Sequence, residues 1–244
     1  MVLAATDPSW LAELVAAPAE RLAFARLEAD PHGRRLELTA KFAAVRDALA
    51  DGAATAKALR ARFPNLAPHE IARELGVPVE ATDDDPLVGS IWRFAEYRQR
   101  PARIVLYRSG LALLEGAVAG GRAVRLLGHA TPQQVFIAHE LFHHLETIRS
   151  DTPIAQRYRP TLFRIGGWHW RTGIAALAEI AAGAFAQSLL DLPCHPHVLD
   201  LVALDAISSD MTAARMAARI AAGARHRSFV PAALPVQSGD GEMR

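Results

Sequence analysis

One cysteine, Cys194, stands in 244 residues, so no disulfide can close within the chain and an oxidising compartment gains no support. Lysine is nearly absent: Lys41 and Lys57 are the only two, and arginine supplies the remaining basic residues. Neither sign of charge is in excess. The balance of 27 basic against 26 acidic residues, a formal net charge of +1, calls for neither a nucleic acid nor an anionic membrane as partner. A long uninterrupted apolar run is also missing. The most membrane-like stretch, Gly173 to Leu190, carries Glu179 in its middle and is rich in weakly hydrophobic alanine, so it reads as a buried helix. The first residues lack a basic region followed by an apolar core, and place Asp7, Glu13, Glu20 and Arg21 where a secretory leader would be apolar. The expectation is a cytoplasmic protein without membrane contact, and its hydrophobic content of 51% is ample for a large folded core.

What is present centres on Ile137 to Glu146, IAHELFHHLE, which contains His-Glu-x-x-His. On a helix, His139 and His143 project from one face and can grip one metal ion, and Glu140 stands beside the first as a general base. The flanking sequence predicts that helix over 132–148. Thr131 is a good N-cap, Pro132 suits the first helical position, and Gln134 completes a capping box. Val135, Ala138, Leu141, Phe142 and Leu145 recur at three- and four-residue steps, so the histidines border a face that packs inward. The rival reading is two ordinary polar residues on a half-exposed helix; agreement of cap, helix and spacing weighs against it.

Around this helix the chain reads as α+β, mostly helical. Helices are predicted over 8–17, 19–29, 36–49, 53–63 and 68–75, with breaks at Pro18 and Asp30-Pro31-His32-Gly33. Short apolar runs at Ile91, Phe94, 102–107 and 123–127 predict a small, mostly antiparallel sheet of three or four strands, whose edge can hold an extended peptide. Residues 149–172 read as a loop-rich connection, followed by helices over 173–190, 197–207 and 210–222. The division expected is an N-terminal helical extension over 1–52, a main domain over 53–226 and a loose tail over 227–244. The string HEIARELGV, His69 to Val77, has the look of a helix-turn-helix entry. Pro78 and the acidic Asp83-Asp84-Asp85-Pro86 follow where a recognition helix should stand, which argues against a DNA reader.

Two histidines leave a catalytic zinc site one protein ligand short. Glu146, Asp151, His169 and Glu179 are the downstream candidates. Glu179 is favoured, because a carboxylate in Ile174-Ala-Ala-Leu-Ala-Glu-Ile-Ala-Ala-Gly is costly to bury without a compensating cation; the alternative is a solvent-facing stripe. Ala176, Ala178, Ala182 and Gly183 would let the two helices approach closely. Glu146, one turn beyond His143, and His144 fit orienting or structural roles. Tyr158, His169 and Arg171 in the long connection are candidate donors to a developing oxyanion.

Taken together, HELFHH and E-I-A-A-G-A-F-A-Q-S-L-L-D-L-P resemble the ImmA/IrrE-type metallopeptidases, with looser echoes in HEIARELGVPV and SSDMTAARMAAR. The likeness covers roughly residues 53–223. It implies a zincin-like domain of gluzincin type, with His139, His143 and Glu179 holding Zn2+ (or Mn2+) and Glu140 as general base. It also implies a protein or peptide substrate, a transcriptional repressor being the best-known kind. The helical extension, with no clear DNA-binding domain, departs from that pattern.

Overall fold

The computed structural model describes residues 8–88, 91–119, 125–207 and 212–223. Within them, α1 (Ser9–Val15), α2 (Ala19–Ala29), a 3-10 turn (Gly33–Arg35), α3 (Leu38–Arg62) and α4 (Pro68–Glu74) lead into the strands. These are β1 (Val79–Thr82), β2 (Leu87–Val88), β3 (Ile91–Trp92), β4 (Ala95–Gln99) and β5 (Ala102–Tyr107), followed by α5 (Arg108–Ala117) and α6 (Pro132–Ile148). After α7 (Ile154–Arg157) come β6 (Thr161–Ile165) and β7 (Trp168–Arg171), then α8 (Ala175–Leu190), α9 (His197–Ile207) and α10 (Thr212–Gly223). The class is α+β and mostly helical. The tail expected over 227–244 lies outside the described residues.

Helix α6 starts as its sequence dictates. The Thr131 hydroxyl accepts the Gln134 N–H at 3.2 Å, and the Gln134 side chain accepts the Thr131 N–H at 2.9 Å, so two otherwise orphaned donors are satisfied. Val135, Ala138, Leu141 and Phe142 on it are buried, and Phe142 meets α8, its ring 5.8 Å from that of Phe185. The N-terminal helices share this core, since Leu11, Leu14, Leu22 and Leu27 belong to the same buried cluster as Phe142 and Phe185.

Three expectations need correcting. Residues 38–62 form one helix of 25 residues, where two, over 36–49 and 53–63, are expected. Gly52 is there because α3 lies against α8: a Cβ on it would sit 2.1 Å from the Ala181 carbonyl oxygen and 2.9 Å from the Phe185 nitrogen. The segment 108–117 is helical, although Ser109-Gly110 reads as a turn. Gly110 again marks a close approach, a Cβ there lying 2.7 Å from the Arg93 carbonyl oxygen. Of the strand expected over 123–127, residues 123–124 lie outside the described residues and 125–127 are helical.

The sheet is mixed. Its order is β1-β5-β4, with β4 antiparallel to β5 (Tyr97 opposite Ile104) and β1 parallel to it (Val79 opposite Ile104). Alternating apolar residues signal strands but not their partners, which is why the parallel neighbour is not legible in the sequence. Ile104 donates its N–H towards β1, to the Pro78 carbonyl, so the Tyr97 N–H points the other way, off the open edge of β4. Two further two-stranded pairings, β2 with β3 and β6 with β7, are antiparallel; the second, with α7, occupies the stretch read as loop.

Helix α8 has no side-chain cap of its own, Ile174 being the residue before it. Asp30, just past the end of α2, serves instead: Oδ2 accepts the Ala176 N–H at 3.2 Å, while Oδ1 accepts the N–H groups of His32 (2.7 Å) and Gly33 (3.0 Å). The end of α2 is thereby tied to the start of α8, about one turn from Arg26 on one side and Glu179 on the other.

Candidate metal centre

His139 and His143 stand on one face of α6, and α8 brings Glu179 across from them. Glu179 Oε2 lies 3.4 Å from His139 Nε2 and Oε1 lies 3.5 Å from His143 Nε2. One ligand atom from each of the three residues falls within 4.8 Å of the other two. Two imidazole nitrogens and one carboxylate oxygen converging in this way form a group that can hold a metal ion, and the donor set suits a divalent ion of the zinc type. Small residues on α8 allow the approach, and Gly183 goes further: a Cβ there would lie 2.7 Å from Nε2 of His195.

Glu140 is 7% exposed and lies at the same cleft. Its Oε2 accepts the outward-pointing Tyr97 N–H of β4 at 2.7 Å, which fixes the carboxylate beside His139. Burial, reinforced by the charge of Glu179, pushes its pKa up to about 7, although His139 and the Tyr97 N–H act in the opposite sense. Burial opposes charge on His139 too, but Glu179 and Glu140 outweigh it and hold that pKa above the ordinary value. His143 is pushed down to about 4 by burial and by its neighbour His139. Burial would raise Glu179, yet His139, His143 and Arg26 keep it well below the usual carboxylate range.

Arg26 is the participant that sequence reading misses. From α2 its Nη2 donates to Glu179 Oε2 at 3.1 Å, while Nη1 reaches Asp200 at 3.4 Å. His197 Nδ1 pairs with the same Asp200 oxygen at 2.8 Å. A second buried histidine, His195, accepts the His197 N–H on Nδ1, and burial pushes its pKa down to about 3, leaving it neutral. These side chains line one side of a cleft of about 460 Å³; Trp92, Phe94 and Ala95 line it from the sheet side. No periodicity announces Arg26, since it meets Glu179 only through the packing of α2 beside α8. The run His195-Pro196-His197 with Asp200 three residues on is a visible signal, a cluster of titratable groups where a helix starts.

The remaining expected residues are placed elsewhere. The Tyr158 hydroxyl donates to Asp47 at 2.6 Å on the surface, and burial and that carboxylate push its pKa up to about 12. His169 and Arg171 stand exposed on β7, and none of these three lines the cleft. His144 is buried behind the site with Nδ1 3.0 Å from the Tyr97 hydroxyl, and burial lowers its pKa. Glu146 accepts the Ile154 N–H at 2.8 Å, holding the start of α7 instead of a metal ligand. Asp151, an initial alternative for the third ligand, pairs with Arg149 and Arg157. No helix among the described residues is long and apolar enough to cross a membrane. No family model, curated protein or solved structure matches the chain.

Proposed function

We propose that this protein is a zinc-dependent peptidase with a zincin-like site of the ImmA/IrrE type, acting on an extended segment of a protein substrate, a transcriptional repressor being the first to test. One observation carries the reading: a buried carboxylate, Glu140, lines one cleft with His139 and Glu179 of the His139, His143 and Glu179 group, and is fixed by a strand-edge N–H. His139, His143 and Glu179 would hold the ion, with manganese as the alternative to zinc. When bound, such an ion supplies Lewis acidity, lowering the pKa of a water and polarising the scissile carbonyl.

The chain's own residues do the rest. Glu140 takes the proton of the attacking water and returns it to the leaving amine; its burial disfavours the charged carboxylate and so favours proton uptake. Strand β4 is an edge, and Ala95 lines the cleft, so an extended peptide can lie beside it with its backbone held by the strand. The walls formed by Trp92, Phe94 and Phe136 exclude water and receive apolar side chains.

The test uses the zinc-loaded protein with candidate repressors and a peptide library. Glu140→Gln should retain the metal and lose hydrolysis, and Glu179→Ala should lose the metal. Normal turnover by Glu140→Gln would refute the assignment. One feature favours a second reading, a metal sensor that does not cleave: Arg26 already neutralises the Glu179 carboxylate inside the cleft. Partner binding that a chelator abolishes or reverses, with no cleavage of any peptide, would select it.

A further inference from the structure

The hairpin β6–β7 carries an apolar face that nothing in the described residues covers. Ile165 pairs with Trp168 and Phe163 with Trp170, so the strand alternation puts all four on one side, while Arg164 and His169 pair on the other. Phe163 is 51% exposed, Trp170 61%, Ile165 70% and Trp168 85%. A soluble surface rarely leaves two tryptophans, a phenylalanine and an isoleucine side by side in water. The hairpin is held from below and is no loose end: Arg35 donates to the Leu162 carbonyl, Arg159 to the Arg171 carbonyl, and the Thr172 N–H to the Pro160 carbonyl.

Charge selects the occupant. No carboxylate occurs between positions 152 and 178, whereas Arg159 stands at the base of the hairpin and Arg164 and Arg171 on its other face, where their long side chains can reach phosphates around the apolar face. Arg164 and Arg171 pair with no carboxylate among the described residues, unlike Arg157 at the base, which is held by Asp51 and Asp151. A second copy of the chain would bring these cations against each other, so self-association through this face is opposed. Single-stranded nucleic acid needs ring faces and cations along one track. Here Phe163 and Trp170 are stacked on each other, centroids 5.9 Å apart and planes within 6°, so their facing ring surfaces are taken, and the aliphatic Ile165 interrupts the track. A lipid surface asks for something different: amphipathic tryptophans at the interface, aliphatic side chains below it and arginines whose heads stay among anionic headgroups.

We propose that the β6–β7 hairpin docks the protein reversibly on an anionic phospholipid surface, with Phe163, Ile165, Trp168 and Trp170 entering the headgroup layer and Arg159, Arg164 and Arg171 meeting lipid phosphates. The two contributions are each modest, and reversible binding follows from their combination.

The test is co-flotation of the full chain with vesicles of phosphatidylcholine alone and of phosphatidylcholine containing phosphatidylglycerol. Binding should favour the anionic vesicles and weaken with added salt. Trp168→Ala with Trp170→Ala should bind roughly tenfold or more weakly, and Arg164→Gln with Arg171→Gln should lose roughly fivefold per arginine. These side chains point into solvent, so circular dichroism should be unchanged, and either pair tests the proposal if the other disturbs folding. Absence of binding to anionic vesicles at low salt, or equal binding by both double variants, overturns it. So does capture of a single-stranded oligonucleotide through the hairpin with no vesicle binding.

Discussion

Replacing Arg26 by glutamine should tighten zinc binding. Without metal, the guanidinium and Glu179 form a half-exposed ion pair at 3.1 Å, whose net worth is at most ~1 kcal/mol after side-chain entropy and screening. With a dication held by the same carboxylate, Arg26 becomes a like charge close by. Even at water-like screening, a unit charge and a dication a few ångströms apart repel by ~1–2 kcal/mol, and Asp200, which shares the guanidinium, offsets part of that. Glutamine keeps an amide donor for Glu179 and removes the charge, so the two effects separate. The variant should bind zinc ~3–30-fold more tightly in chelator competition, with the metal-free protein no more than ~1 kcal/mol less stable. If zinc instead binds more weakly to Arg26→Gln, the guanidinium orients Glu179 for the ion and the electrostatic reasoning is refuted.

Gly52→Ala should destabilise the protein by ~1–3 kcal/mol or more, read as a fall in Tm of ~2–4 °C per kcal/mol, because the added Cβ meets backbone of α8; a neutral result would mean that α3 and α8 can part freely. Asp30→Ala should cost ~1 kcal/mol near neutrality. Burial would raise the Asp30 pKa, but its bonds from Gly33, His32 and Ala176 hold it below the ordinary value. The ionised form is thus the one folding favours, so the charge-dependent part of the deficit is full above the unfolded value of about 3.9 and disappears as pH falls through the lower folded value; urea titrations at several pH values check this. Tyr158→Phe should cost ~1 kcal/mol through its lost bond to Asp47 and leave zinc affinity and any peptide hydrolysis untouched, since the hydroxyl is not at the cleft; loss of hydrolysis with folding intact would return it to the site.

The parts of the centre that were legible are those that a helix period encodes. His139, Glu140 and His143 lie within one turn or so of each other, and their helix announces itself through Thr131, Pro132 and Gln134. Glu179 was legible for another reason, the cost of an acid among alanines, and the geometry sets it between the two imidazoles. Arg26 has neither signal. It lies 153 positions from Glu179, and an arginine on an amphipathic helix looks the same whether it faces water or a carboxylate. The Tyr97 N–H is hidden further still, because a backbone donor becomes special only when its strand turns out to be an edge.

Glycine explains much of what was misread in the fold. The interval 50–52, left between two expected helices, and Ser109-Gly110, which reads as a turn, both contain a glycine, a residue entropically costly inside a helix and common in turns. In both cases the residue is helical and pressed on another backbone: Gly52 on α8, Gly110 on the Arg93 carbonyl. Gly183 does the same for the His195 ring, within the same helix that carries Glu179. The exclusion that made glycine necessary belongs to the neighbour, which local sequence does not contain. Charge follows the same logic. A net charge of +1 averages the acidic stretch at Asp83-Asp84-Asp85 with the carboxylate-free span of 152–178, and so argues against an anionic partner that the second segment, taken alone, is suited to meet. The sum over a chain is informative about solubility; recognition depends on where the charges stand, and here the arginines share one hairpin with the exposed tryptophans.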